Sequence, residues 1–577
     1  MDMKDVLKQG LVEAVEKAVA AGTLPEGQYP EVLLEVPPQK EFGDFSTNIA
    51  MQSARVARKA PKAIAEAIVA QMDYDWLDHA EVAGAGFINF FLKSHMVYDQ
   101  LKAILLAGKD YGKQELRARD TIQVEYISAN PTGPLHVGHG RGAAYGSALV
   151  NLLRCAGYNV QAEYYVNDAG NQVDNLAISV EMRFQELQGA HLVFSEKQDD
   201  GTYLLPDTIP EGALIFPDNG YRGPDIIETA KAIVDKEGFD KLNAMSREDR
   251  IAYFKDMAVP EKLEDIKKTL AHFNIKMDHY FSEKSLYGTD EVKMAVDQLK
   301  ALGHIYEKDG ALWFRTTSFG DDKDRCVIRD NGVPTYFASD IAYHRNKYER
   351  GFQEMIDIWG ADHHGYVARV KAAIQGLDYD PNKLTIMLLQ MMALYRGGQK
   401  VSLSKRSGQS LTLDELLEEV GVDAARYFFV MRSLDSQLDF DIDLAKSKSN
   451  ENPVYYIQYA HARIHSIYNQ VKEAGISFGQ WDETDFSSLT GELELELIKK
   501  MAEFPEEVVL AAERKAPHRI AQYLYDLASM FHSFYRQGRI IGVDSGLQQA
   551  RLGLITAVAL VLEQGLGILG ISAPEKM

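Results

Sequence analysis

The stretch ISANPTGPLHVGHGRGAAYGSALV, residues 127–150, follows a short β-rich run at 122–127 (IQVEYI) and leads into a helical pattern. Strand, turn and helix with histidines and glycines at the joint is the layout of a phosphate-binding site, since a helix start offers free N–H groups and the positive end of its dipole. His136 and His139 stand three apart and share a face of that first turn. Two imidazoles aimed there suit a triphosphate whose charge must be stabilised while it is broken. Gly138, Gly140 and Gly142 lack a Cβ and are expected to let a bulky ligand approach the backbone.

Other readings compete. A His-x-x-His pair can be half of a zinc site, but the helical His-Glu-x-x-His form is missing, and a purely structural pair is also open. A dinucleotide fingerprint would use Glu163 on the next strand-like run, NVQAEYYV. Its glycine spacing fails, because the third glycine would fall at Tyr145 and Gly146 comes one residue late.

With 577 residues and 46% hydrophobic content, the chain fits a soluble globular protein of three or four domains. No stretch reads as the ~20 apolar residues of a membrane span, and the amphipathic, acid-bearing N-terminus is not a signal peptide. Only Cys155 and Cys326 are present, so disulfides and cysteine zinc sites are not expected, and the expected compartment is the cytoplasm. A net charge of −22 disfavours bulk attraction to nucleic acid but leaves room for local basic surfaces at Arg55, Arg58, Lys59 and Lys62, or at Lys446 and Lys448.

Texture along the chain suggests its organisation. Residues 1–105 read as a small α+β unit with a strand-like EVLLEV and a loop QKEFGDFS, and 106–120 as a polar linker. From 121 to 400 strands alternate with helices, the signature of a parallel α/β sheet, with ALWFRT, CVIRD, TYFAS and MIDIWG among its strands. A stretch at 192–224, rich in acids, glycines and prolines, reads as a surface insertion without chemistry. Residues 401–454 carry a basic loop, and 455–577 read as a helical bundle whose core includes Ile520, Tyr523, Leu524, Leu527, Phe531 and Phe534.

That basic loop, VSLSKRSG at 401–408, follows Gly397-Gly398 and is a weak signal for a mobile phosphate clamp. Paired with HVGH it becomes strong, and the two together resemble the class I aminoacyl-tRNA synthetases. ISANPTGPLHVGHGRGAA, TYFASDIAYH, WGADHHGYVAR, LSKRSG, DAARYFFVMRS and the ending LGILGISAPEKM resemble arginyl-tRNA synthetase more closely still, from end to end apart from 192–220. The family's HIGH signature reads HVGH here, and its KMSK reads Ser402-Leu403-Ser404-Lys405, which keeps the second lysine. The fold implied is a Rossmann-like parallel-sheet catalytic domain flanked by an N-terminal α+β domain and a C-terminal all-α bundle.

The resemblance also implies chemistry. ATP and L-arginine would give arginyl-adenylate and pyrophosphate, and the arginyl group would pass to the terminal ribose of tRNA(Arg). His136 and His139 would donate to phosphates, Gly138 would make room for adenosine, and Ser404, Lys405 and Arg406 would close on the leaving pyrophosphate, with Mg²⁺ accompanying ATP. A guanidinium calls for carboxylates. Asp340, with Tyr336 on the same face, is implied for that role, although Asp340 on its own reads equally as a helix cap. Glu125 and Asn130 would hold the amino and carboxylate ends, and Asp362 and His363 would lie near the amino group or adenosine. His363-His364 as metal ligands lack a third partner, so no structural metal is expected.

No proofreading domain is expected, because a pocket built for a guanidinium rejects near-isosteres unaided. A monomer is expected, and the resemblance implies that adenylate formation waits for tRNA. Tyr455, Tyr459, Arg463, Tyr523, Arg514, Lys515 and Arg519 are candidate anticodon contacts, and the FGDFSTN loop with its nearby basic cluster a candidate contact for the tRNA corner.

Overall fold

The strand that carries Ile122 and Val124 buries both faces, since Gln123 and Glu125 between them are buried too. Only a central parallel strand covered by helices on each side places its residues in that way. This strand, β1 (Arg117–Glu125), sits in a five-stranded parallel sheet with β2 (Tyr158–Val166), β3 (His279–Ser282), β4 (Glu354–Gly360) and β5 (Leu384–Leu389), in the order β3-β2-β1-β4-β5. The computed structural model describes residues 3–198, 202–401 and 411–577, so the expected clamp residues Ser404, Lys405 and Arg406 lie outside the described residues.

Of the helices α1 (Val137–Cys155), α2 (Asn171–Leu187), α3 (Tyr336–Glu349) and α4 (His364–Gly376), the first and the last two pack on this sheet, while α2 packs on the helices Pro224–Glu237 and Arg247–His272. From β1 the chain winds outward to β2 and β3, whereas β4 and β5 extend on its other side. The carboxyl ends of β1 and β4 therefore flank a topological switch point, where the loops diverge and leave a crevice.

Several segments differ from the sequence reading. ALWF (Ala311–Phe314) and RCVI (Arg325–Ile328) join Ile305–Lys308 in a separate antiparallel sheet rather than the central one. The reason is Asp309-Gly310, both at positive φ (52° and 75°), which forms the two-residue turn of a hairpin. TYFAS is not a strand: it opens α3, burying Phe337, Ala338, Ile341 and Ala342 at helical spacing. EVLLEV contributes only a bridge from Glu35 to Ser46, with Leu33 and Val36 exposed. FGDFSTN is a paired edge, not a free loop, because Phe45–Thr47 is antiparallel to Phe87–Leu92. In the stretch read as a linker, the helix Ser94–Ala107 runs in from one side and β1 starts at Arg117 on the other.

At the C-terminal end α5 (Pro453–Glu473), α6 (His518–Gln537) and α7 (Ser545–Leu569) pack together, and the six residues read as core on α6 are buried. Contrary to the sequence reading, α7 is long and apolar enough to cross a membrane by length and composition, but 72% of its most apolar window is buried in the bundle.

Candidate active site

The crevice begins with backbone strain. Leaving β1, Ile127 and Ser128 both take positive φ (73° and 42°), which for a β-branched residue is a genuine outlier that persists only where the surroundings enforce it. Here they do. Ser128 Oγ donates to Glu125 Oε1 at 2.8 Å and accepts from the Tyr165 N–H at 3.1 Å, while Tyr164 OH donates to the Ala129 carbonyl at 2.7 Å. The turn bends residues 129–136 across the sheet edge and delivers His136 to the N-cap of α1.

The His136 N–H donates to His139 Nδ1 at 3.3 Å, and the two rings stack with centroids 3.7 Å apart. Burial and the adjacent His136 push His139 down to about 3, and burial lowers His136 as well. Both imidazoles are therefore neutral at pH 7. Because Nδ1 of His139 is an acceptor, its proton resides on Nε2, so the ring offers a donor without a charge that a cation would have to avoid. The segment just after the basic loop is stitched to this turn: the Val137 N–H donates to Leu411 O at 3.0 Å and the Leu413 N–H to Leu135 O at 2.7 Å. That pairing holds the end of the loop segment beside the histidines.

A cavity of about 570 Å³ opens over the pair, lined by Ala129, Asn130, Thr132, Gly133, His136 and His139, a size usual for a nucleotide-sized ligand. Its far wall is Tyr221–Asp225, so the end of the stretch read as chemically silent insertion borders the cleft. The glycines divide differently from expectation. A Cβ on Gly138 would meet the His136 ring at 2.8 Å. On Gly140 it would meet Leu413 and Phe429 at 2.9 Å, and on Gly142 Leu389 at 3.4 Å. Gly140 therefore serves packing of α1 against its neighbours, Gly142 has room for a Cβ at ordinary contact, and neither lines the cavity.

Deeper along the crevice lies a charged network. Lys347 is fully buried, and its Nζ donates to Glu125 Oε2 and Asp357 Oδ1, each at 2.6 Å. Burial opposes its charge, but the two carboxylates outweigh that and keep it protonated. His344 bridges Asp357 Oδ2 (3.1 Å) and the Asp340 carbonyl (2.8 Å). Asp340 does not cap α3, which starts at Tyr336 after Thr335; its carboxylate, half-buried, accepts from Tyr366 OH.

Sequence reasoning missed Glu283. This buried acid is pushed up to about 7, first by burial and then by the charges of Asp340 and Asp168. Burial, with Glu125 adding to it, also raises Asp340, against the opposing pull of Tyr366, His344 and Arg369. Asp340 raises Glu283, and a buried acid raised by neighbouring carboxylates is one that a bound cation would relieve. Tyr336 stands 54% exposed at this rim, its hydroxyl 3.4 Å from the Asn171 N–H, and Asn130 donates to Gln172 Oε1 at 2.6 Å on the cavity wall. Asp362 and His363 lie at the βα turn after β4, 3.6 Å apart and exposed; neither bonds to the buried acids. Among the described residues no group of three or more His, Cys, Asp or Glu could hold a metal ion.

Three family models match the chain. The class I tRNA synthetase (R) catalytic domain covers residues 100–199 and 232–435, the arginyl tRNA synthetase N-terminal domain covers 5–92, and the DALR anticodon-binding domain covers 457–577. The chain belongs to the arginyl-tRNA synthetase family. It is 47% identical to arginine--tRNA ligase 1 of Halalkalibacterium halodurans, over 100% of both chains, and 46% identical to the arginine--tRNA ligase of Bacillus subtilis, over 100% of this chain and 99% of the other. A solved Campylobacter jejuni protein described as an arginyl tRNA synthetase aligns with a TM-score of 0.74 and 35% identity, over 84% of this chain and 100% of that one. The arginyl-tRNA synthetase of Thermus thermophilus shares the fold, with a TM-score of 0.71 and 23% identity over 99% and 100%.

Within this family frame the expected RNA contacts sort by exposure. On the bundle Tyr455 and Tyr459 stack at 5.9 Å, and Arg463 lies 4.5 Å over Tyr459 and 4.6 Å over Tyr535. Tyr523 is instead core, donating to the Lys500 carbonyl at 2.6 Å. Lys515 pairs with Glu354 and Arg519 with Glu507, contacts internal to the protein. Arg55, Arg58, Lys59 and Lys62 are all exposed, whereas Asp44 of FGDFSTN pairs with Lys499.

Proposed function

We propose that this chain joins L-arginine to tRNA(Arg). In the first step the arginine carboxylate attacks the α-phosphorus of ATP, giving arginyl-adenylate and pyrophosphate. In the second the terminal ribose hydroxyl of tRNA(Arg) takes the arginyl group and releases AMP. The observation that carries this reading is the neutral stacked histidine pair lining an open cavity; two acids with raised carboxyls, Asp340 and Glu283, add to it. The acids suit a guanidinium; the histidines and helix start suit a triphosphate.

No side chain serves as a covalent nucleophile in this scheme, so the protein acts by positioning and by stabilising charge. His139 Nε2–H and His136 donate to phosphate oxygens, and the absence of a side chain at Gly138 leaves the turn open to the adenosine. Ser404, Lys405 and Arg406 close on the β- and γ-phosphates from the loop whose following segment pairs with Leu135 and Val137. Asp340 and Glu283 take the guanidinium, with Tyr336 at the rim, and Asn130 holds the carboxylate end. Glu125, fixed by Lys347 and Ser128, takes the α-ammonium. Asp362 and His363 border the adenosine side. Mg²⁺ would accompany ATP and offset the charge of its phosphates.

The tRNA is engaged by 455–577 through the Tyr455–Tyr459–Arg463 face and by 1–105 through its basic cluster, with 121–400 and 401–454 holding the acceptor end and inner stem. The reading extends to a monomer acting in the cytoplasm, in keeping with two free cysteines. Transfer of labelled arginine to total tRNA tests it. Wild-type protein should charge tRNA with arginine, and Asp340→Asn should abolish charging at micromolar arginine; an unchanged arginine KM in that variant overturns the assignment.

A further inference from the structure

Asp340 has a support that none of these roles uses. Tyr366, on the first turn of α4, donates its hydroxyl to Asp340 Oδ2, and no described protein group bonds to Oδ1. The Tyr366 ring is confined on three sides. Phe337 and Trp359 meet it edge-on at 6.3 and 6.1 Å, and the Arg369 guanidinium lies 4.6 Å from its centroid. Arg369 in turn has a buried Nε without a hydrogen-bond partner, 3.9 Å from Asp321 Oδ2. Asp321 is itself clamped, accepting from Arg325 at 2.8 and 2.9 Å and from the Asp322 N–H at 2.9 Å. A line of contacts thus runs from the antiparallel sheet Ile305–Ile328, through Arg369 and Tyr366, to one oxygen of the substrate-facing carboxylate.

A carboxylate at the end of a rotatable side chain binds a planar guanidinium well only when its own plane is fixed. A donor locked on Oδ2 fixes that plane before substrate arrives and leaves Oδ1 free, so less orientation is lost on binding. We infer that Tyr366, braced by Arg369 and Asp321, is a positioning residue that sets the Asp340 carboxylate for the guanidinium. This rests on the reading of Asp340 as the guanidinium partner. The simpler account is that Tyr366 only fills space, and Tyr366→Phe separates the two because it keeps the ring and removes the hydroxyl.

Steady-state aminoacylation with the full chain and total tRNA, in Tyr366→Phe, Asp321→Asn and Asp340→Asn, reads this out. Removing a donor to a charged acceptor should raise the arginine KM of Tyr366→Phe by about ten- to hundredfold. Its kcat and its KM for ATP should stay within about twofold of wild type, a split that a general packing defect would not give. Asp321→Asn, which loosens the far end, should move the same parameter in the same direction by less, and it supplies the test if Tyr366→Phe does not fold. An arginine KM within about twofold of wild type in Tyr366→Phe, or equal losses toward ATP and arginine, overturns the inference while Asp340→Asn still loses arginine. If Asp340→Asn itself keeps its arginine KM, the pocket assignment and this inference fall together, a distinct result.

Discussion

Arginine binding to the free protein should strengthen as pH rises toward 8, and Glu283 should be the cause. Its carboxyl is pushed up to about 7 because it is buried and faces Asp340 and Asp168. The guanidinium of arginine is protonated at every relevant pH, so only the protein side titrates. At pH 6 roughly one Glu283 in ten is ionised, and the arginine Kd should be about tenfold weaker than at pH 8. The stability consequence has the opposite sense. A carboxyl whose folded value lies above its ordinary one favours the fold while neutral, at low pH, and that contribution is lost as pH rises through about 7. Above that pH the ionised group costs about 3 kcal/mol in the ligand-free protein. Glu283→Gln should therefore stabilise the ligand-free protein at pH 8 and weaken arginine binding there, with a nearly flat Kd from pH 6 to 8. Isothermal titration with arginine across that range, for both proteins, measures it. The reasoning is refuted by a flat Kd in the wild type, or by a slope that persists unchanged in Glu283→Gln.

Three further results are expected. His139→Ala removes one preorganised donor and should lower kcat for arginine-dependent ATP–pyrophosphate exchange by about a hundredfold or more, with little change in the arginine KM; a matched loss in KM instead would place His139 in ground-state binding. Gly146→Ala sets a Cβ 2.4 Å from the Tyr126 ring, whereas Gly142→Ala meets its nearest neighbour at 3.4 Å. The first should lose about 1–3 kcal/mol and the second far less, so equal melting temperatures would contradict the packing role given to α1. Arg463→Ala should raise the tRNA KM in aminoacylation while leaving arginine and ATP KM values alone, and an unchanged tRNA KM would remove that face from the RNA contact.

What could be read from the chain was local. The strand–HVGH–helix joint needs only a few consecutive residues, and α6 announces its core by spacing alone, as Ile520, Leu524, Leu527 and Phe531 turn out fully buried. Asp340 stands out by the motif around it. Glu283 does not, because what raises its carboxyl is burial and then the field of Asp340 and Asp168, which the fold brings beside it from distant positions. Lys347 looks like any surface lysine in IAYHRNKYER until the sheet places Glu125 and Asp357 against it. The strain at Ile127 and Ser128 leaves no trace in composition, since neither residue favours positive φ. Two of the differences between sequence reading and fold have a local signal in the chain. Asp309-Gly310 marked a hairpin where the apolar runs on either side suggested the central sheet. The spacing of Phe337, Ala338, Ile341 and Ala342 marked a helix where Tyr-Phe suggested a strand.

The central claim is that an acid-lined pocket and a histidine-capped helix start together activate arginine. ATP–pyrophosphate exchange by the purified chain, with each of the 20 amino acids and with or without total tRNA, tests it most directly. Exchange with arginine alone, and only when tRNA is present, is the expected result. Exchange with arginine in the absence of tRNA would keep the pocket and remove the coupling to tRNA. Exchange driven by another amino acid, or by none under either condition, would contradict the account.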